Sequence, residues 1–115
     1  MRNYKLYLED IISAIERIEK SLSKVNEDDF KQDMDFIEST MMRLQIIGEA
    51  VKNLPDKLKK EGQIEWKKIA GLRDIITHAY FNLDKDIIWD IVKNKLPNLK
   101  KEILEILKKE RKNLC

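Results

Sequence analysis

Apolar residues return along this chain in steps of four and three. The first run is Tyr4, Leu8, Ile11, Ile15, Ile18, Leu22 and Val25, with Ile12 widening the stripe. Glu9, Asp10, Glu16, Arg17, Glu19 and Lys20 lie between them. This spacing keeps one side of a 3.6-residue helix apolar and the other wet, and so predicts an amphipathic helix. Asn26 to Asp29 form a polar break rich in N-cap residue types. The rhythm then resumes as Phe30, Met34, Ile37, Met41, Leu44, Gly48 and Val51, which predicts a second long helix that Pro55 ends. Gly48 falls on its apolar seam. A glycine there costs about 1 kcal/mol against alanine, and close approach of a neighbouring helix is the expected return.

Residues 55–65 are lysine-rich and contain Gly62, which predicts a short helical turn or loop. A third helix is expected from near Glu65 or Gly71 to near Phe81. Asp84 is a candidate N-cap for a fourth helix, with Ile87, Ile88, Ile91 and Val92 apolar. Pro97 suits the first turn of a fifth, which carries Leu96, Leu99, Ile103, Ile106 and Leu107. The basic stretch Lys108 to Lys112 is expected to fray. Long helices with short connections give an all-α, up-down bundle of four to five helices. The last two, split by proline, are expected to pack as one bent element. One domain, residues 1–115, accounts for the whole chain.

Composition changes this picture in few respects. Charged residues make up 38 % of the 115 positions, yet the formal net charge is only +2. Any nucleic-acid contact must therefore use a local patch, since the molecule as a whole is not a polycation. Most lysines read as solvated helix faces. With one cysteine, Cys115, and one histidine, His78, the chain builds no internal disulfide and no dedicated transition-metal cage. No cofactor is expected. No apolar stretch approaches the roughly 20 residues that span a bilayer, and the N-terminus runs straight into an amphipathic pattern. A cytoplasmic protein without membrane contact is the expectation.

The chemistry collects in Arg73-Asp74-Ile75-Ile76-Thr77-His78-Ala79-Tyr80, followed by Phe81. On a helix at about 100° per residue, Ile69, Leu72, Ile75, Ile76 and Ala79 share the core side. Arg73, Asp74, Thr77, His78 and Phe81 share the other. Arg73 and His78 bracket about 140° of that outer face, too wide for a direct contact and suited to two margins of a groove. Tyr80 lies about 20° from Arg73, at the border with the core. An outer face that carries Phe81 beside charged groups invites a second copy across a two-fold axis. Such a homodimer buries Phe81 and brings two arginines and two histidines into one cleft.

Arg and His without metal suit cleavage of RNA by its own 2′-hydroxyl. His78 moves the protons, because its ordinary pKa is near 6.5. Arg73 holds the phosphate with a permanently charged fork. Asp74 can orient either group, Thr77 can donate a hydrogen bond, and Tyr80 can contact phosphate or stack on a base. The plain alternative is that His78 is a bystander, Arg73 pairs with an acid on a neighbouring helix and Tyr80 is edge packing.

The segment resembles the Arg-x4-His-x-Tyr motif of the HEPN superfamily, specifically HepT-type toxins paired with minimal nucleotidyltransferase antitoxins. Tyr7-Leu8-Glu9-Asp10-Ile11 is similar to the family's opening helix, and Ile47-Gly48-Glu49-Ala50 to its second-helix signature. The stretch from Ile64 through Trp66, Gly71 and Asp74 is similar to the approach to its active helix. His78-Ala79-Tyr80-Phe81-Asn82-Leu83-Asp84, then Ile88-Trp89, is similar to the exit.

The resemblance implies a metal-independent endoribonuclease, a homodimeric HEPN bundle, and catalytic roles for Arg73 and His78. It implies the toxin half of a type VII-like toxin–antitoxin pair, silenced when the cognate nucleotidyltransferase attaches AMP to Tyr80. Glu49 is placed near the same region without a catalytic role. Two other readings remain at this point: a non-catalytic subunit that binds nucleotide or the transferase, and a purely structural helical adaptor.

Overall fold

A computed structural model of the chain describes residues 3–59 and 84–113, with side chains over 3–58 and 84–109. The fold is all-α. Its elements are α1 (Tyr4–Ser21), α2 (Glu27–Gln32), α3 (Met34–Lys52), α4 (Asp56–Lys59), α5 (Lys85–Asp90), a π-helical turn (Ile91–Lys95) and α6 (Leu96–Asn113). No strand occurs among the described residues. The third helix expected to end near Phe81 lies outside them.

Four helices begin where an Asn or Asp satisfies amide groups that the first turn leaves bare. Asn3 Oδ1 accepts from the Lys5 amide at 3.0 Å and starts α1. Asn26 Oδ1 accepts from the Asp29 amide at 2.8 Å and starts α2. Asp33 Oδ1 accepts from the amides of Asp35 at 2.9 Å and Phe36 at 3.4 Å and starts α3. Asp84 Oδ1 accepts from the Ile87 amide at 3.2 Å, so the expected cap of α5 is present.

The long second helix expected from Phe30 to Val51 is in fact two. Asp33 adopts an extended backbone (φ −118°, ψ 104°), which breaks the helix between α2 and α3. The break changes the phase of the apolar stripe. Phe30 is fully buried, whereas Met34 is 39 % exposed and is not part of the seam. From Ile37 onward the expected seam holds: Ile37, Met41, Leu44, Gly48 and Val51 are all buried.

The end of the chain is corrected in the opposite sense. Pro97 does not open a separate helix, because α5, the π turn and α6 run on without a break. Proline has no N–H to donate, and in an α-helix its ring collides with the carbonyl four residues earlier. Here the Leu96 amide reaches back five residues to the Ile91 carbonyl, and the wider turn gives the ring room. The helix also continues through Lys108–Lys112 to Asn113, where fraying was expected.

The core forms where α1 lies against α3 on one side and α6 on the other. Leu8, Ile11, Ile15, Ile18 and Leu22 of the first stripe are buried to 1 % exposure or less. They join Leu44, Ile47 and Val51 of α3 and Leu96, Leu99 and Ile103 of α6 in one cluster. Each such side chain contributes about 1.5–3 kcal/mol of burial. Arg43 Nη1 of α3 donates to the Arg17 carbonyl of α1 at 3.4 Å, a further tie between the two long helices. No helix among the described residues is long and apolar enough to cross a membrane.

Candidate active site

Arg73, Asp74, Thr77, His78, Tyr80 and Phe81 all lie outside the described residues. What is described is the frame on either side of them. On the upstream side α3 ends at Lys52, where Asn53 Nδ2 donates to the Glu49 carbonyl at 2.9 Å. Pro55 then starts a single turn, α4, that tucks Leu54 and Leu58 into the core.

On the downstream side α5 is locked to α2. The rings of Phe30 and Trp89 lie 5.1 Å apart and tilted by 40°, an arrangement that avoids stacking like faces of the two π systems. Lys93 Nζ sits 4.7 Å from the centre of the Trp89 ring. Lys85 Nζ donates to the Lys31 carbonyl at 2.6 Å. Lys31 in turn pairs with Glu27, one turn earlier at 3.2 Å, and with Asp86 of α5. Hydrogen bonds to Asp86 and Glu27 raise the pKa of Lys31 above the ordinary 10.5. The first turn after the candidate segment therefore starts from a fixed point.

The chain pattern shows the Glu27–Lys31 spacing but not the link to Asp86, which is 55 positions away and needs the fold. The Lys100–Glu19 pair, at 2.8 Å between α6 and α1, is of the same kind. There the hydrogen bond that Lys100 donates to Glu19 raises the Lys100 pKa.

Glu49 is exposed on α3. The described residues contain no group of three His, Cys, Asp or Glu side chains arranged to hold a metal ion. Thr40, which the apolar pattern hides in mid-helix, is the one buried polar residue among the described residues. Its hydroxyl has no hydrogen-bond partner among the described residues.

The sequence model of the family described as "Ribonuclease HepT-like" matches residues 11–106. A protein of Methanocaldococcus jannaschii is 40 % identical over 113 residues, 97 % of this chain. Its name joins a gamma-glutamylcyclotransferase to a provisional RNase assignment, and the chain spans about half of its length (51 %). A Caldanaerobacter subterraneus protein, provisionally named an RNase, is 38 % identical over 112 residues, covering 96 % of this chain and 100 % of the relative. A Thermococcus cleftensis protein named "Probable ribonuclease HepT" is 41 % identical over 100 residues, 86 % of this chain and 91 % of its own. No solved structure gives a significant match.

Proposed function

The chain belongs to the HepT-like ribonuclease family, and on that premise we propose that it is a metal-independent endoribonuclease whose active site is built by Arg73 and His78. The observation that carries this reading is the family match over residues 11–106, which encloses the Arg-x4-His-x-Tyr run at 73–80. The reaction is transesterification. His78 takes the proton from a ribose 2′-hydroxyl, and the 2′-oxygen attacks the adjacent phosphorus. The bond to the 5′-oxygen breaks, and that oxygen leaves with a proton from an imidazolium. The products are a 2′,3′-cyclic phosphate and a 5′-hydroxyl end. The guanidinium of Arg73 binds the non-bridging oxygens as charge builds on them.

One imidazole cannot be base and acid in the same instant. A homodimer that joins two Arg73–His78 faces supplies both, and it buries Phe81. Asp74 and Thr77 support the two catalytic groups by hydrogen bonding. Tyr80 is the regulatory position. A cognate minimal nucleotidyltransferase, the antitoxin of the pair, transfers AMP to its hydroxyl. The added bulk and negative charge then sit where RNA phosphate must bind.

The test is RNA cleavage by the purified full-length protein in excess chelator. Cleavage that leaves cyclic phosphate, and that is lost in His78→Ala while helicity is retained, is the expected result. Cutting that persists in the His78→Ala protein overturns the assignment. A protein that cuts no RNA but binds a nucleotidyltransferase stably is instead a non-catalytic subunit.

A further inference from the structure

We propose that the outward face of α1, with Leu104 of α6 beside it, docks antiparallel on the same face of a second copy of this chain. The proposal is independent of the ribonuclease reading and of any dimer formed through residues 73–81.

A groove of about 480 Å³ runs between α1 and α6. Ile12 and Leu107 line it, and Leu104 stands beside them 46 % exposed. Beside Arg17, which is also exposed, Glu9, Ser13, Glu16 and Lys20 of α1 line the same groove and are exposed. They recur every three or four residues, so they form one stripe along the helix. The side chains of Glu9 and Lys20 make no ion pair among the described residues, although Glu19 beside them is held by Lys100. An apolar floor with unspent charges along one edge is a surface built for contact.

The order of the charges selects the occupant. Read forward, the stripe is negative, neutral, negative, positive. Read backward, it is positive, negative, neutral, negative. Laid antiparallel, Glu9 faces Lys20 of the second copy, Ser13 faces Glu16, and each contact occurs twice. In the same register Arg17 faces Ile12, and no two like charges that line the groove are opposed. A parallel arrangement sets every charge against itself, so the antiparallel one wins. It is also the arrangement that a closed two-fold dimer requires.

Leu104 completes the match. The antiparallel register pairs residue 9 with residue 20, so the two-fold axis passes between positions 14 and 15 of α1. α6 runs back along α1, with Lys100 at Glu19. One turn on, Leu104 comes beside the middle of the stripe, so the two copies of Leu104 approach each other near the axis. Exposed ion pairs alone contribute little. Here they fix register, and the leucines and groove floor supply the apolar area.

The experiment is a charge swap read by sedimentation equilibrium of the full chain at low salt. Lys20→Glu places Glu9 against a second carboxylate and is expected to halve the mass relative to wild type at equal concentration. The double variant Glu9→Lys/Lys20→Glu restores opposite charges with their places exchanged and is expected to regain the wild-type mass. Both positions are exposed, and far-UV circular dichroism checks that the helices are retained. A Lys20→Glu protein of unchanged mass overturns the proposal. So does a double variant that stays at half mass. A dimer through residues 73–81 survives in all three proteins, and RNA cleavage reports on it separately.

Discussion

The ring of Trp89 leans on that of Phe30 at 5.1 Å, and with this contact α2 holds the turn that follows the candidate catalytic segment. Phe30 is fully buried, Trp89 is half-buried, and Lys93 covers part of the indole. Phe30→Ala removes a buried ring and is expected to cost about 3–5 kcal/mol in urea unfolding. The contact itself is worth about 0.5–1.5 kcal/mol. In a double-mutant cycle, Phe30→Ala with Trp89→Ala should therefore cost less than the two single changes added together, by about that amount. Strict additivity would show that the two rings stabilise the protein separately.

Thr40 makes a prediction of the opposite sign. Its side chain is fully buried and its hydroxyl has no partner among the described residues. Valine has nearly the same shape and no hydroxyl to desolvate. Thr40→Val is expected to stabilise the fold by about 1 kcal/mol, visible as a rise of roughly 4 °C in Tm. A fall in Tm would mean that the hydroxyl is bonded in solution.

The two tethered lysines are expected to titrate late. Hydrogen bonds that Lys31 donates to Asp86 and Glu27 hold its pKa above 10.5, and the one that Lys100 donates to Glu19 does the same for Lys100. A folded-state pKa raised above the unfolded value contributes stability that is complete below about 10.5 and fades as pH climbs through the folded value. Both pairs therefore contribute in full near neutrality and weaken as the pH climbs into alkali. Side-chain amine NMR across that range should show Lys31 and Lys100 keeping their protons above the ordinary lysine value of 10.5. Asp86→Asn should bring Lys31 back toward the others. If Lys31 titrates with the bulk of the lysines in the wild type, the tether is not formed in solution.

These contacts also mark what the chain pattern reveals and what it hides. The seam of α1 is legible from Leu8 to Leu22 because one unbroken helix keeps one phase. The α2–α3 break is masked because Phe30 and Met34 stand four apart and imitate a single helix. The contrary signal was nevertheless present, in Asp33 followed by a fresh helical pattern. Pro97 misleads in the other direction. Ile88, Val92, Leu96, Leu99 and Ile103 keep a continuous apolar phase, and a π turn lets one helix pass the proline. The ties Lys31–Asp86 and Lys100–Glu19 join distant positions and have no local signature. Arg73, Asp74, Thr77, His78 and Tyr80 were singled out by residue type, spacing and motif resemblance. Their segment lies between α4 and α5 in the chain, outside the described residues.

The proposed role of Arg73 leads to the sharpest chemical prediction. If its task were only to place one positive charge near phosphate, lysine would serve. If it grips two oxygens of a phosphate that is gaining charge, the planar fork is needed, and an ammonium on a flexible stem cannot copy its geometry. Arg73→Lys is therefore expected to lower kcat for RNA cleavage by about 10²–10³-fold, in the range for removing one donor of a charge-stabilising site. KM should change much less, because the lost interaction strengthens in the transition state. Arg73→Ala should be no more than modestly worse. Single-turnover cleavage of a short RNA in chelator measures all three proteins. An Arg73→Lys protein with wild-type kcat would reduce Arg73 to a simple point charge, and a loss confined to KM would assign it to substrate binding alone.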